Sequence, residues 1–121
     1  MPTSRAQGRA VVCTPTRGIA LDRATAIRTA AVLTALADPE RLRVFSLLAL
    51  AGAGEVCACR LAEALPRLGP ELLDAHLEQL LGAGLVARHG RDGWAYYRLT
   101  SDGRARAAAL LGSAPSPALV P

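Results

Sequence analysis

Two short helical segments joined by a tight turn are the feature that most constrains how this chain folds. Residues 57–65 and 70–81 both follow helical patterns, and the turn between them, residues 66–69, contains a proline and a glycine. Leucines recur at helical spacing in the second segment and define an inward face. This arrangement indicates a helix-turn-helix, in which the second helix is presented to a groove of DNA.

Two longer helical segments precede this pair. The first, residues 21–37, is rich in Ala and Leu, has Asp22 as a candidate cap, and is expected to supply part of the core and a dimer seam. It ends before Pro39, because proline disfavours helical geometry in the preceding residue and fits the first turn of the next helix. The second segment, Pro39–Leu50, is apolar around nearly all of its circumference, which predicts the central core helix.

The periodicity changes from helical to alternating after residue 84. Residues 85–89 and 94–100 read as two strands, and the Asp92-Gly93 pair in the intervening turn is typical of a β-hairpin. A last helix is predicted over residues 102–111. The predicted fold is therefore mainly α, with one hairpin.

Length and composition predict one domain. With 121 residues and 51% hydrophobic content, the core is modest, and oligomerisation commonly supplements a core of this size. We assign residues 1–18 to an N-terminal arm carrying a cysteine, residues 19–112 to the folded domain and residues 113–121 to a flexible tail. No apolar run approaches the roughly 20 residues of a membrane span, and the N-terminus lacks the apolar stretch of a secretion signal. We therefore expect a cytoplasmic protein with no membrane partner.

The charge balance favours an anionic partner. Fourteen basic residues against 10 acidic ones give a net charge of +4 and a pI near 9.6. DNA fits this excess, and an acidic protein is the alternative. Every basic residue is Arg, but a GC-rich genome explains that bias as well as phosphate recognition does, so it carries no weight.

Cys57 and Cys59 are the residues with the most distinctive chemistry. An odd number of cysteines, three, argues against a disulfide framework in a reducing compartment. Soft thiolates select As(III), Sb(III), Cd(II), Pb(II) or Hg(II) over Mg(II) or Ca(II), and the start of a helix favours the thiolate form. Residues two apart in a regular helix point to different sides, so we expect the first turn to distort before both sulfurs reach one ion. That distortion is a candidate switch that re-aims the second helix.

Several motifs in a consistent order resemble the ArsR/SmtB family of repressors. Residues 33–44, LTALADPERLRV, resemble that family's ALADPTRLRIL signature, and residues 55–59, EVCAC, are similar to its ELCVCDL metal motif. Residues 76–86 match its HL..L..AGLV pattern, and residues 97–99 complete the match in the hairpin. The resemblance covers residues 21–111. It implies a homodimeric winged helix-turn-helix protein that is not an enzyme and has no organic cofactor. Such a protein binds operator DNA, represses transcription, and is released from the operator when As(III) or Sb(III) binds.

The resemblance also implies a set of metal ligands. Family members often carry a third cysteine three residues beyond the pair, where this chain has Ala62, while others bring a cysteine from an N-terminal arm, usually onto the partner subunit's motif. We therefore predict Cys13, Cys57 and Cys59 as ligands, with Cys13 reaching its own or the other subunit's motif. The alternatives are small buried side chains at 57 and 59 and a spectator thiol at 13. The last helix has no His, so the zinc site of other members is not expected there.

The predicted DNA contacts lie on the second helix of the pair and on the hairpin. The recognition segment carries three acidic residues, which repel phosphate, although a carboxylate can accept a hydrogen bond from cytosine N4. Arginines on the hairpin suit phosphate contacts, which fix position but not sequence. The predicted DNA-binding residues are Arg67, His76, Gln79, Arg88, Arg91 and Arg98.

Three other functions compete with arsenic sensing. The same fold can respond to Hg(II), Cd(II), Pb(II) or thiol oxidation, the last through a disulfide between Cys13 and Cys57 or Cys59. A thiol enzyme or metal-transfer protein is disfavoured, because the chain lacks a Cys-x-x-Cys motif and a βαβ unit. The acidic recognition helix also allows an interaction module that does not bind DNA.

Overall fold

A computed structural model of the protein describes residues 18–112 and shows five helices and three strands in that part of the chain. The elements, in chain order, are α1 (Arg23–Leu36), α2 (Pro39–Leu50), β1 (Val56–Cys57), α3 (Ala58–Ala64), α4 (Pro70–Gly82), β2 (Val86–Arg91), β3 (Trp94–Leu99) and α5 (Ser101–Leu111). This order confirms the helix-turn-helix and the hairpin. The predicted arm around Cys13 and the tail lie outside the described residues.

Aspartate caps define the starts of α1 and α2. The Asp22 carboxylate accepts a hydrogen bond from the Thr25 amide at 3.1 Å, and the Asp38 carboxylate accepts one from the Arg41 amide at 3.0 Å. Pro39 occupies the first turn of α2, where its missing N–H leaves no hydrogen bond unmade. The predicted cap and the predicted break between the two helices are both confirmed.

The core is built around α2. Val44, Phe45 and Leu48 on this helix have no exposed surface, and α1, α4, α5 and β3 all pack against it. Apolar side chains of this size contribute about 1.5–3 kcal/mol each when fully buried. The prediction that α2 is the central core helix is confirmed.

The sheet contains one strand more than the sequence predicted. Its order is β1-β3-β2, and β1 pairs antiparallel with β3 through Val56 opposite Tyr97 and Cys57 opposite Tyr96. The hairpin turn is tighter than expected, because residues 90 and 91 belong to β2 and only Asp92-Gly93 turns the chain. Asp92 and Gly93 have φ angles of 54° and 79°, as in a type I′ turn, which matches the twist of the flanking strands.

None of the helices in the described part of the chain is long and apolar enough to cross a membrane.

Candidate metal centre and nucleic-acid interface

The two thiols of the cysteine pair lie side by side. Their Sγ atoms are 2.6 Å apart, and the Cys59 amide also donates to the Cys57 sulfur at 3.4 Å. Cys57 is the extended N-cap residue of α3, with φ −65° and ψ 142°, and Cys59 is the second residue of the helix. The prediction that the helix begins at Cys57 was therefore wrong, and so was the expectation that its first turn must distort. One extended residue before the helix is enough to turn both sulfurs to the same side.

Hydrogen bonding gives the two sulfurs different acidities. The thiol of Cys59, and then its backbone amide, lower the pKa of Cys57 below the ordinary value of a cysteine. The hydrogen bond from the Cys59 thiol to the Cys57 sulfur stabilises the protonated form of Cys59, and reduced solvation acts in the same direction, so the pKa of Cys59 is raised. The lowered pKa favours the expected thiolate at Cys57 and not at Cys59, and its main cause is the bond to the Cys59 thiol. On deprotonation, the first negative charge of the pair is therefore favoured on Cys57.

The pair suits a soft ion but does not complete a site within the described residues. Among residues 18–112, no group of three His, Cys, Asp or Glu side chains is close enough to hold a metal. Two thiolates that share one ion at roughly 2.3 Å, the zinc–sulfur distance, lie roughly 3.5–4 Å apart, so these two sulfurs must move apart by roughly 1 Å to share an ion. Cys13 lies outside the described residues, so the three-ligand set stays a prediction.

The cysteine segment is connected to the hairpin in two ways. The backbone of Cys57 pairs with that of Tyr96 in β3, and the carboxylate of Glu55 accepts a hydrogen bond from Arg91 Nη1 at 3.1 Å. The Arg91 guanidinium also lies 4.3 Å from the centre of the Tyr96 ring. Glu55 and Arg91 are far apart in sequence and no local pattern relates them, which is why Glu55 was not among the predicted functional residues.

The position of α4 is fixed from inside the domain by His76. Its side chain is only 13% exposed. Its Nδ1 atom accepts a hydrogen bond from Arg41 Nε at 3.3 Å, and its Nε2 atom lies 3.9 Å from a carboxylate oxygen of Asp38. Arg41 also donates to the carbonyl of Ala35 at the end of α1, at 2.9 Å. The structure therefore places His76, a predicted base reader, in a contact that joins α1, α2 and α4.

The other predicted DNA contacts divide into two groups. Arg67, Gln79 and Arg98 are exposed, and within residues 18–112 the two arginines form no side-chain hydrogen bond or ion pair. Arg88 is bonded to Glu78 of α4 at 2.9 Å, and Arg91 is held by Glu55. A phosphate that binds the second group must compete with a carboxylate, so the first group is the more available to DNA.

The chain is similar to known transcriptional regulators. No family model matches it. Over 68 residues it is 40% identical to the arsenic resistance transcriptional regulator ArsR1 of Pseudomonas putida, in a match that covers 56% of this chain and 51% of that protein. The chain thus spans about half the length of this relative.

A solved structure covers a larger share of the chain. It is the homodimeric winged helix-turn-helix DNA-binding domain of Mb0332 from Mycobacterium bovis, described as a possible ArsR-family transcriptional regulator. The sequences are 32% identical, the TM-score is 0.61, and the match covers 79% of this chain and 86% of that one. The chain belongs to the ArsR family. ArsR-family relatives are transcriptional regulators rather than enzymes, which confirms that part of the prediction.

The fold is also similar to that of a second transcriptional repressor of known structure. The antimony-specific transcriptional repressor AntR superposes on this chain with a TM-score of 0.65 and is 22% identical in sequence. The match covers 84% of this chain and 90% of the AntR chain. Likeness at this identity concerns the fold alone. The winged helix-turn-helix predicted from sequence is confirmed.

Proposed function

We propose that this ArsR-family chain is a homodimeric repressor that leaves its operator when As(III) or Sb(III) binds Cys57, Cys59 and Cys13. The observation that carries the proposal is the pair of sulfurs, 2.6 Å apart, at the start of the helix that precedes α4. The names of the Pseudomonas putida regulator and of AntR, which refer to arsenic and antimony, support metalloid sensing. The proposal places the protein in the cytoplasm, where its thiols stay reduced.

The donor set favours a trivalent metalloid over a tetrahedral ion such as Cd(II). Cys57 and Cys59 provide two soft donors, and Cys13 is the only further thiol in the chain. Three sulfurs satisfy As(III) or Sb(III), whereas a tetrahedral ion such as Cd(II) requires a fourth ligand. Ala62, exposed on α3, leaves no donor where the family often has its third cysteine.

Homodimer formation is supported by exposed apolar side chains on the first and last helices. Ile27 and Leu33 on α1, and Leu110 on α5, each expose about half of their surface. Large apolar side chains exposed on the outside of a small domain are available to an interface with another chain. The homodimeric structure of the Mycobacterium bovis domain supports the same assignment.

The switch that we propose acts through β1 rather than through a distorted helix. The two sulfurs must separate to share an ion, and Cys57 is both a sulfur donor and the last residue of β1. A shift of Cys57 is transmitted to Tyr96, its partner in β3, and to the adjacent contact between Glu55 and Arg91. Binding of the inducer would then disfavour the position that the hairpin takes in the DNA-bound protein. A useful switch needs a difference of about 3 kcal/mol, on the order of a hundredfold in operator affinity.

The decisive experiment measures operator release by fluorescence polarisation. Reduced protein is titrated against its own upstream DNA, with and without arsenite or antimonite, at two salt concentrations. We expect salt-sensitive binding that the metalloid weakens about a hundredfold. Cys57→Ser and Cys59→Ser should bind DNA normally and lose the release. Serine suits the N-cap position of Cys57, and Cys59 is exposed, so both variants should retain the fold. Cys13→Ser tests the third ligand in the same assay.

Ala62→Ser is the matched control, because it places a hydroxyl on the same helix without removing a thiol. This variant should be released like the wild type. Normal release of Cys57→Ser or Cys59→Ser would contradict the ligand assignment. Absence of DNA binding under all conditions would favour the interaction module, and binding that metalloids leave unchanged would direct the search to Hg(II), Cd(II) and Pb(II).

Thiol oxidation is a second candidate signal, and the short distance between the sulfurs favours it. Two adjacent thiols can lose two electrons and two protons to a peroxide, which is reduced to water, and form a disulfide. Release by hydrogen peroxide without metalloid, reversed by a dithiol reductant, would support this candidate.

A further inference from the structure

The exposed side of α4 is divided lengthwise into an acidic row and an uncharged row. Both rows follow the spacing i, i+3, i+7, so each forms a stripe along the helix. All six side chains are exposed. The acidic row consists of Glu71, Asp74 and Glu78, and the uncharged row consists of Leu72, Ala75 and Gln79.

The two rows have different neighbours. The acidic row contacts the hairpin at its C-terminal end, where Glu78 is bonded to Arg88 at 2.9 Å. The uncharged row begins at a cavity of about 530 Å³ that Leu72 lines together with Arg43, Arg67 and Glu40. Two arginines, Arg43 and Arg67, therefore lie at the N-terminal end of the uncharged row, and within residues 18–112 Arg67 forms no ion pair. An anionic partner is attracted to this end of the uncharged row and repelled by the acidic row.

Leu72 is an exposed apolar side chain beside two arginines. Its side chain is 57% exposed, at the first turn of the helix that a helix-turn-helix inserts into the major groove. The thymine C5 methyl group is the apolar feature that the major groove displays, and it lies between backbones of phosphates that arginine can hold. An apolar protein surface would satisfy Leu72 but would not satisfy the arginines beside it.

Building on the proposed operator binding, we infer that Leu72 reads sequence by packing against a thymine methyl group, with Arg67 and Arg43 on the adjacent phosphates. The uncharged row, not the acidic row, is then the base-reading surface of α4. Gln79, at the other end of the row, is placed to pair with an adenine edge. Arg43 is partly committed to Glu40, at 3.0 Å, so Arg67 is the stronger phosphate contact of the two.

Removal of single methyl groups from the DNA tests the inference. The site protected in the upstream DNA is resynthesised with deoxyuridine in place of thymidine, one position at a time, and each duplex is titrated with wild-type protein and with Leu72→Ala. For the wild type, loss of the contacted methyl should weaken binding about fourfold, the value of one buried methyl group. Leu72→Ala should bind the two versions of that duplex equally.

Leu50→Ala is the matched control, because Leu50 is a similarly exposed leucine at the end of α2, and this variant should keep the wild-type response. Equal thermal unfolding of the variants ensures that the comparison concerns binding. The inference is overturned if no thymine methyl matters to the wild type, or if Leu72→Ala remains as sensitive as the wild type. Failure of the unmodified duplex to bind is a different result, which would overturn the proposed operator binding and this inference with it.

Discussion

Gly103 provides the sharpest test of how α5 is attached to the domain. It is a buried residue within α5, and a Cβ atom added there would lie 2.1 Å from the carbonyl oxygen of Leu85 and 3.0 Å from its carbonyl carbon. The approach is close because two hydrogen bonds hold the start of α5 against the chain before β2. The Thr100 amide donates to the Leu85 carbonyl at 3.0 Å, and the Thr100 hydroxyl donates to the Gly84 carbonyl at 2.7 Å.

Gly103→Ala should therefore destabilise the protein although alanine is the better helix former. Carbon and oxygen atoms in contact are normally about 3.3 Å apart, so α5 must move by about 1 Å. Overpacking of this kind costs about 1–3 kcal/mol, and weakening of the two Thr100 hydrogen bonds adds about 1 kcal/mol. Alanine returns about 1 kcal/mol through helix propensity. The expected net loss is about 1–3 kcal/mol.

Urea denaturation at a fixed protein concentration measures this loss, because the stability of a dimer depends on concentration. Gly82→Ala is the matched control: it is the same substitution at the end of a helix, where an added Cβ meets nothing within 4 Å. It should raise the free energy of unfolding by up to about 1 kcal/mol. If Gly103→Ala is as stable as the wild type, or gains stability like the control, the argument from close approach is refuted.

Three further predictions concern charge and protonation. Glu55→Gln should free Arg91 for phosphate and steepen the salt dependence of operator binding by about one unit of the log–log slope, and an unchanged slope would count against competition for Arg91. Since the pKa of Cys57 is lowered and that of Cys59 raised, iodoacetamide should modify Cys57 at pH values where Cys59 is still protected. Peptide mass mapping detects the order, and Cys59→Ala should move the onset for Cys57 to higher pH. The pKa of Asp38 is lowered by its cap hydrogen bond from a first-turn amide of α2, so its contribution is present above the unfolded-state pKa and is lost as pH falls through the folded-state pKa. Urea titrations of Asp38→Asn across the acid range should show a smaller loss of stability than the wild type, and parallel losses would contradict this assignment.

The elements predicted correctly are those fixed by local chemistry. Asp22 caps α1, Pro39 begins α2, and Asp92-Gly93 closes the hairpin, each through backbone geometry that a few neighbouring residues determine. Strand β1 was not predicted because two residues carry no periodicity. It exists only because β3, about 40 residues further along the chain, offers a free edge to it. That pairing is a property of the tertiary structure.

The same distinction applies to the thiol pair. The residue types and their spacing identified Cys57 and Cys59 as a candidate site, but an α-helix was assumed to begin at the first of them. Placing the helix start one residue later moves Cys57 into extended backbone and brings its sulfur to that of Cys59. A shift of one residue lies within the usual uncertainty of helix ends, yet here it decides whether the two side chains meet.

The hairpin is the element on which the proposed sensor and the proposed reader converge. The arginines of the hairpin were predicted to contact phosphate. In the structure, however, Arg91 is bonded to Glu55 beside the cysteines, and Arg88 is bonded to Glu78 on α4. Strand β3 pairs with β1 on one side and with β2 on the other, so Cys57 and α4 are joined through three adjacent strands and two ion pairs. Each exposed ion pair is weak alone, at about 0–1 kcal/mol, but the strand pairing between them is continuous. Under the proposed switch, a displacement of Cys57 would therefore reach α4 through the hairpin without any change within α3, which would let thiols at the edge of the sheet act on DNA binding.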